Sequence, residues 1–310
     1  MKKLTLLCSM LLTVSLVAAG CGNSAGNTES EIDKTEAQTA GATESETAGN
    51  VTGEVTAEEL KTGLGIITTI SGSKDANEEE EGTAQADVTI AAVMVDAEGK
   101  IVACKIDVAQ TQIHFGADGT IFSDLEEECL TKQELGADYG MKAVSSIGKE
   151  WYEQANAFAE YCLGKTADEV TGIAVTEEGV AADTDLAASC TIHIGALQNV
   201  VAKAVNQATA AGAAIGDILG LGVTTSIAKS VDATAEEPGL AQAYTTVSVT
   251  TVNGEGKITS AIIDAVQTSI NFDATGRITS DLTEEVLSKN ELGASYGMKS
   301  ASSIGKEWNE

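Results

Sequence analysis

The run Val88-Thr-Ile-Ala-Ala-Val-Met-Val95, the turn Asp96-Ala-Glu-Gly-Lys100 and the run Ile101-Val-Ala-Cys-Lys-Ile-Asp-Val108 decide the fold. With a period of two, Val88, Ile90, Ala92 and Met94 take one side of a strand and Thr89, Ala91, Val93 and Val95 the other. A glycine-containing turn between two β-branched runs is the ordinary hairpin signal. Asn253-Gly-Glu-Gly-Lys257 repeats the turn, and Ala117-Asp-Gly-Thr120 supplies another that leads into Ile121 and Phe122. Downstream the period changes. Trp151, Ala155, Phe158 and Cys162 share one helix face, Thr166-Ala-Asp-Glu opens a short helix with a capping pattern, and Leu197, Val200, Val201, Ala204 and Val205 mark another. Strands followed by helices within one unit predict an α+β fold of antiparallel β-hairpins packed with helices.

The chain contains a duplication. Residues 63–153 align without a gap on residues 220–310, an offset of 157, with 52 of 91 positions identical. Agreement is densest where Glu134-Leu-Gly-Ala-Asp-Tyr-Gly-Met-Lys142 pairs with Glu291-Leu-Gly-Ala-Ser-Tyr-Gly-Met-Lys299. A period this long predicts tandem domains rather than a solenoid, over 59–212 and 213–310, the second copy incomplete at its C-terminal end.

The N-terminus predicts export. Met1-Lys2-Lys3 is followed by an apolar stretch from Leu4 to Val17 and by Ala18-Ala19-Gly20-Cys21. That stretch is too short to span a bilayer of ~30 Å and ends in small residues, as a cleaved leader over 1–20 does. Val17 to Cys21 resembles the bacterial lipobox, which implies lipid on Cys21 and a protein anchored to the outer face of the cell membrane. Residues 21–58, rich in Ser, Thr, Gly, Asn, Ala and Glu, predict an acidic, disordered linker, because they cannot offset an ordering cost of roughly 1–2 kcal/mol per residue.

Composition narrows the function classes. The formal charge of −29 becomes −31 once Lys2 and Lys3 leave with the leader. Such a field repels a nucleic-acid backbone. Cys104, Cys129, Cys162 and Cys190 remain after the leader and Cys21 are set aside; none forms C-x-x-C, and the second copy has Ala261 and Val286 where the first has Cys104 and Cys129. Small buried thiols are the expectation, and with only His114 and His193 no zinc or haem site is expected. There is no G-x-S-x-G, H-E-x-x-H or phosphate-binding loop, which disfavours a hydrolase and favours an electron carrier or binding protein over a catalyst.

Asp185-Leu-Ala-Ala-Ser-Cys-Thr-Ile-His-Ile-Gly195 leads directly into the helix of Leu197–Val205. Hydroxyls and free N–H groups at a helix start suit a phosphate; the plainer reading is that Ser189 or Thr191 caps the helix or sits in an edge strand. The order of elements resembles the FMN-binding domain of membrane electron-transfer proteins and extracellular flavin lipoproteins. It comprises the D-x-x-G-K turn, Glu-Leu-Gly…Gly-Met, Trp151 with Phe158 and Gly164-Lys165, then Ser189-Cys190-Thr191 before a terminal helix. The likeness covers residues 63–210, with the second copy as a partial repeat. In that family a Ser-Gly-Ala-Thr element carries FMN through a phosphoester on its Thr, which implies Thr191, with Ser189 beside it. Here the element is Ala188-Ser-Cys-Thr191, and the family's Glu-Thr-Pro-Gly turn corresponds to Glu134–Met141 without a proline. The resemblance implies a pocket formed with Tyr139, Gly140, Met141, Lys142 and Trp151, FMN as cofactor and a redox partner. The alternative is a non-catalytic binding or adhesion lipoprotein that keeps the scaffold without flavin.

Overall fold

The hairpin is present and extends well beyond its sequence signature. In the computed structural model, which describes residues 59–310, strand β2 spans Gly82–Val95 and β3 Ile101–Phe115, antiparallel throughout. The expected leader, Cys21 and the 21–58 linker lie outside the described residues. Asp96 closes the turn: its N–H donates to Lys100 O at 3.0 Å, and its Oδ1 accepts the Lys100 N–H at 2.7 Å. Gly99 sits at φ +78°, a conformation that favours glycine, and Gly256 repeats it.

Strand β1 (Glu59–Thr69) pairs with the other edge of β2, and β4 (Thr209–Ala214) pairs with β1, giving an antiparallel sheet in the order β3-β2-β1-β4. Strands β5 (Ile218–Ser226), β6 (Gly239–Val252) and β7 (Ile258–Phe272) form a second antiparallel sheet. The short helix α1 (Lys132–Leu135) follows the first hairpin. After it come α2 (Trp151–Tyr161), α3 (Ala167–Thr171), α4 (Thr184–Ala187) and α5 (Gly195–Asn206), and α6 (Lys289–Leu292) follows the second hairpin.

The first sheet is the middle of three layers. Leu64, Ile66, Ile90 and Met94 pack against Leu219, Val247, Val249 and Val266 of the second sheet. On the opposite face Ala91, Val93 and Ile106 pack against Phe158, Leu186, Val200 and Ala204 of the helices. Val88 to Val95 is therefore apolar on both sides because both sides are covered. Burying each large aliphatic or aromatic side chain stabilises by about 1.5–3 kcal/mol. Helix α5 lies unusually close to β1: a Cβ on Gly63 would sit 2.0 Å from Ala204 O, and one on Gly65 2.3 Å from Val200 O.

The two copies meet through an internal pseudo-two-fold. Phe115 stacks on Phe272 with ring centroids 4.2 Å apart. The Ile121 N–H donates to Asp232 Oδ1, and the Ile278 N–H donates to Asp75 Oδ1, each at 2.7 Å. Ala76 N–H reaches Gly276 O and Ala233 N–H reaches Gly119 O. Each contact recurs with its partners exchanged at the offset of 157, the pattern of an isologous interface. The outer face of the second sheet has no helical cover among the described residues. Ile258 and Ile263 are 65% and 60% exposed, where Ile101 and Ile106 are each 2%. Three apolar positions of the covered face, Ile67, Ala91 and Val93, are Thr224, Ser248 and Thr250 on this one.

Candidate functional site

A cavity of about 510 Å³ opens in the first copy between α1, the start of α2 and the segment before α5. Thr131 holds α1 in place through a capping box with Glu134, and Asp107 Oδ1 accepts the Gln133 N–H at 3.2 Å. Asp107 is buried, and that burial raises its pKa against the lowering effect of hydrogen bonds from Thr131, Gln133 and Val108. Pinning α1 to β3 in this way places Lys132 on the cavity, its Nζ 4.8 Å from the Tyr139 ring centroid and 5.6 Å from that of Trp151. Two 3-10 turns, Gly136–Tyr139 and Met141–Ala143, follow α1, with Gly140 at φ +75° between them. They carry Tyr139 and Met141 to the wall.

Gln154 is the centre of the polar framework. It is wholly buried, and its Oε1 accepts both the Thr191 N–H (2.8 Å) and the Thr191 hydroxyl (3.1 Å). Its Nε2 donates to Lys149 O (3.0 Å) and to Ser145 Oγ (3.2 Å). One amide thus joins α2, the 141–149 loop and the 191–193 segment, and Ser145, Ser146 and Thr191 line the cavity around it. Beneath them Trp151 packs with Val108 and Ala155, edged by Tyr139, Met141 and Ile192. Glu150 caps α2 and accepts the Lys142 N–H at 3.1 Å, which fixes the loop's far end.

Of the residues the sequence singles out, Thr191, Tyr139, Met141 and Trp151 converge on this cavity, while Ser189, Gly140 and Lys142 are not among its lining. The Ser189 hydroxyl donates to Leu186 O, and Cys190 is buried in the helical core, where burial pushes its thiol up to about 11. Neither side chain enters the cavity. Neither Ser189 nor Thr191 caps α5, which starts at Gly195 after Ile194 with no side-chain cap. Thr191 lies four residues before the helix, and its hydroxyl turns to Gln154 instead. Lys132, Gln154, Ser145, Ser146 and His193 are the polar lining residues that sequence reasoning misses, beside the apolar Val144 and Ile192. Gln154 had a signal: it is a polar residue on the apolar helix face of Trp151, Ala155 and Phe158.

The four cysteines among the described residues are free; Cys162 and Cys190 are buried as expected, whereas Cys104 and Cys129 are only half-buried. Among the described residues no group of three His, Cys, Asp or Glu side chains could hold a metal ion, and no helix is long and apolar enough to cross a membrane. The lining offers the rings of Tyr139, Trp151 and His193, the Lys132 cation, the hydroxyls of Ser145, Ser146 and Thr191 and the Met141 thioether, a set that can hold an aromatic, anionic molecule.

No family model and no solved structure matches the chain. A protein named chlorophenol reductase, from Desulfitobacterium hafniense, is similar: 32% identical over 125 residues. The likeness covers 37% of this chain and 37% of that protein, so the chain spans well under half of the relative's length.

Proposed function

We propose that the protein is an electron carrier lipid-anchored to the outer face of the cell membrane, holding FMN in the cavity of its first copy. The observation that carries this reading is the convergence of Thr191, Tyr139, Met141 and Trp151 on one cavity, although they are up to 52 positions apart in sequence. The residues present fit the group. Thr191 lines the cavity beside Ser145 and Ser146, Lys132 supplies a cation for a phosphate, and Tyr139 supplies an apolar ring face. The Ser and Cys that replace the Gly and Ala of the family element stay out of the cavity. Bound FMN would supply one- and two-electron chemistry. The chain's own share is to orient Thr191 through Gln154, to cover one flank with Met141 and Ile192, and to neutralise negative charge with Lys132. That a partial relative is named a reductase is in keeping with such a role.

Protein isolated from its native host is expected to show flavin absorption in the visible range and a peptide containing Thr191 heavier by one FMN; Thr191→Ala removes the mass increase. Colourless protein that takes up no added FMN would contradict the reading. The second reading, a surface binding module without flavin, is favoured by one observation: the Thr191 hydroxyl proton is already committed to Gln154. On that reading Thr191→Ala leaves binding of the true partner unchanged.

A further inference from the structure

We infer that the duplicated lysine exists in two states: Lys132 is an exchangeable cation that receives the anionic group of a ligand in the first copy, whereas Lys289 is locked and closes the same position in the second. This rests on the reading that the first copy's cavity takes a ligand, and it holds for any anionic occupant.

The two lysines share their neighbours almost completely. Lys132, Tyr139, Met141 and Trp151 recur as Lys289, Tyr296, Met298 and Trp308 at the offset of 157. Their surroundings differ. Lys289 is 5% exposed, and its Nζ lies 4.5 Å from the centroid of each of three rings, Tyr244, Tyr296 and Trp308. It also donates to the Tyr244 hydroxyl at 2.7 Å. Burial alone pulls its pKa down, but the hydrogen bonds with Tyr244 and Tyr296 outweigh it, so the cation stays charged inside its cage.

Lys132 has two rings, at longer range, and among the described residues no hydrogen-bond acceptor of its own and no carboxylate within 4.0 Å. It faces the cavity beside Ser145, Ser146 and Thr191. An ammonium held only by ring faces gains less than one given a charge-assisted hydrogen bond, so an entering phosphate outcompetes the rings. In a chain this acidic, such a local cation is what an anion needs to enter at all.

The third ring comes from one substituted position. Tyr244, the third ring of the cage, occupies the place of Asp87 in the first copy. The Asp87 carboxylate does not engage Lys132; it accepts from Gln85 Nε2 and Gln110 Nε2, each at 2.7 Å. Its place in the cage is therefore vacated, and the ammonium is left to the cavity.

The test labels lysines of the whole folded protein, produced in a host that attaches no flavin, with an amine-acylating reagent and reads each site by peptide mass spectrometry. Lys132 is expected to react at the rate of the exposed Lys142, and Lys289 about tenfold or more slower, the factor a desolvated cation–π cage supplies. Inorganic pyrophosphate should slow Lys132 alone, and FMN should do the same if the flavin reading is right. Protection by pyrophosphate without protection by FMN sinks the flavin and leaves this inference standing; protection by neither overturns it. Asp87→Tyr should give Lys132 its third ring and slow its labelling with no anion present. Tyr244→Asp makes the converse test from the other copy, freeing Lys289, and equal labelling of Lys132 and Lys289 in the unsubstituted, flavin-free protein rules out the locked state.

Discussion

Gln154 holds the site together, although it belongs to no motif. Its amide satisfies Thr191 on one side and Lys149 and Ser145 on the other, all from a fully buried position. Replacing it with Ala strands the Thr191 N–H and the Lys149 carbonyl, so Gln154→Ala is expected to cost about 2–3 kcal/mol in urea unfolding and to loosen the 141–149 loop. Asp107 governs a pH effect. Burial raises its folded pKa above the usual carboxylate value, so the folded state keeps this proton to higher pH than the unfolded chain does. Its favourable contribution is full below the unfolded pKa of about 3.9 and is lost as pH rises through the higher folded value. Asp107→Asn removes that titration and should lose less stability than the native protein as pH rises from about 4 to 7; parallel stability curves would show the shift to be absent. At this scale the resemblance supplied Thr191, Tyr139, Met141 and Trp151. It could not supply Lys132 or Gln154, whose importance comes from what folding brings beside them.

Helix α5 and strand β1 pack so closely that two glycines carry the contact. Gly65→Ala drives a methyl group into Val200 O, and the helix must lift off the sheet, a cost of about 2–3 kcal/mol in thermal or urea unfolding. Its counterpart Gly222 faces no helix among the described residues, so Gly222→Ala should change stability by less than about 1 kcal/mol, and a strand residue gains from losing glycine's extra freedom. Hairpin, turns and the faces of α2 and α5 were legible because each carries a clean period or cap. Strand β4 was not: Thr-Ala-Ala-Gly-Ala-Ala has little strand preference of its own and exists by pairing Ala213 with Leu60 and Thr209 with Thr62. The start of α5 was misread for a related reason, since the Ser-Cys-Thr run looks like a cap but is drawn away by Gln154 and Leu186.

The whole molecule is built like a dimer on one chain. The same strand faces meet across the pseudo-two-fold, Phe115 stacks on its own equivalent Phe272, and Asp75 and Asp232 each accept the N–H of the equivalent isoleucine in the other copy. Phe115→Ala and Phe272→Ala should each cost about 3–5 kcal/mol, and the double variant should cost clearly less than their sum, because one stack is lost in all three. Additive losses in urea unfolding would mean the rings act separately. Sequence identity revealed the duplication but not this interface, since inward-facing residues of a strand look alike whether the second layer is a helix or a sister sheet. Divergence between the copies followed cover: the face under the helices stayed apolar, while its equivalent gained Thr224, Ser248 and Thr250. Tyr244 in place of Asp87 likewise gives Lys289 a third ring that Lys132 lacks.

The most direct test is the flavin content of natively expressed protein, measured as FMN released or retained per chain. One FMN per chain, carried by the first copy and weakened by Lys132→Gln but not by Lys289→Gln, is the predicted result. No flavin, or two per chain, would contradict it.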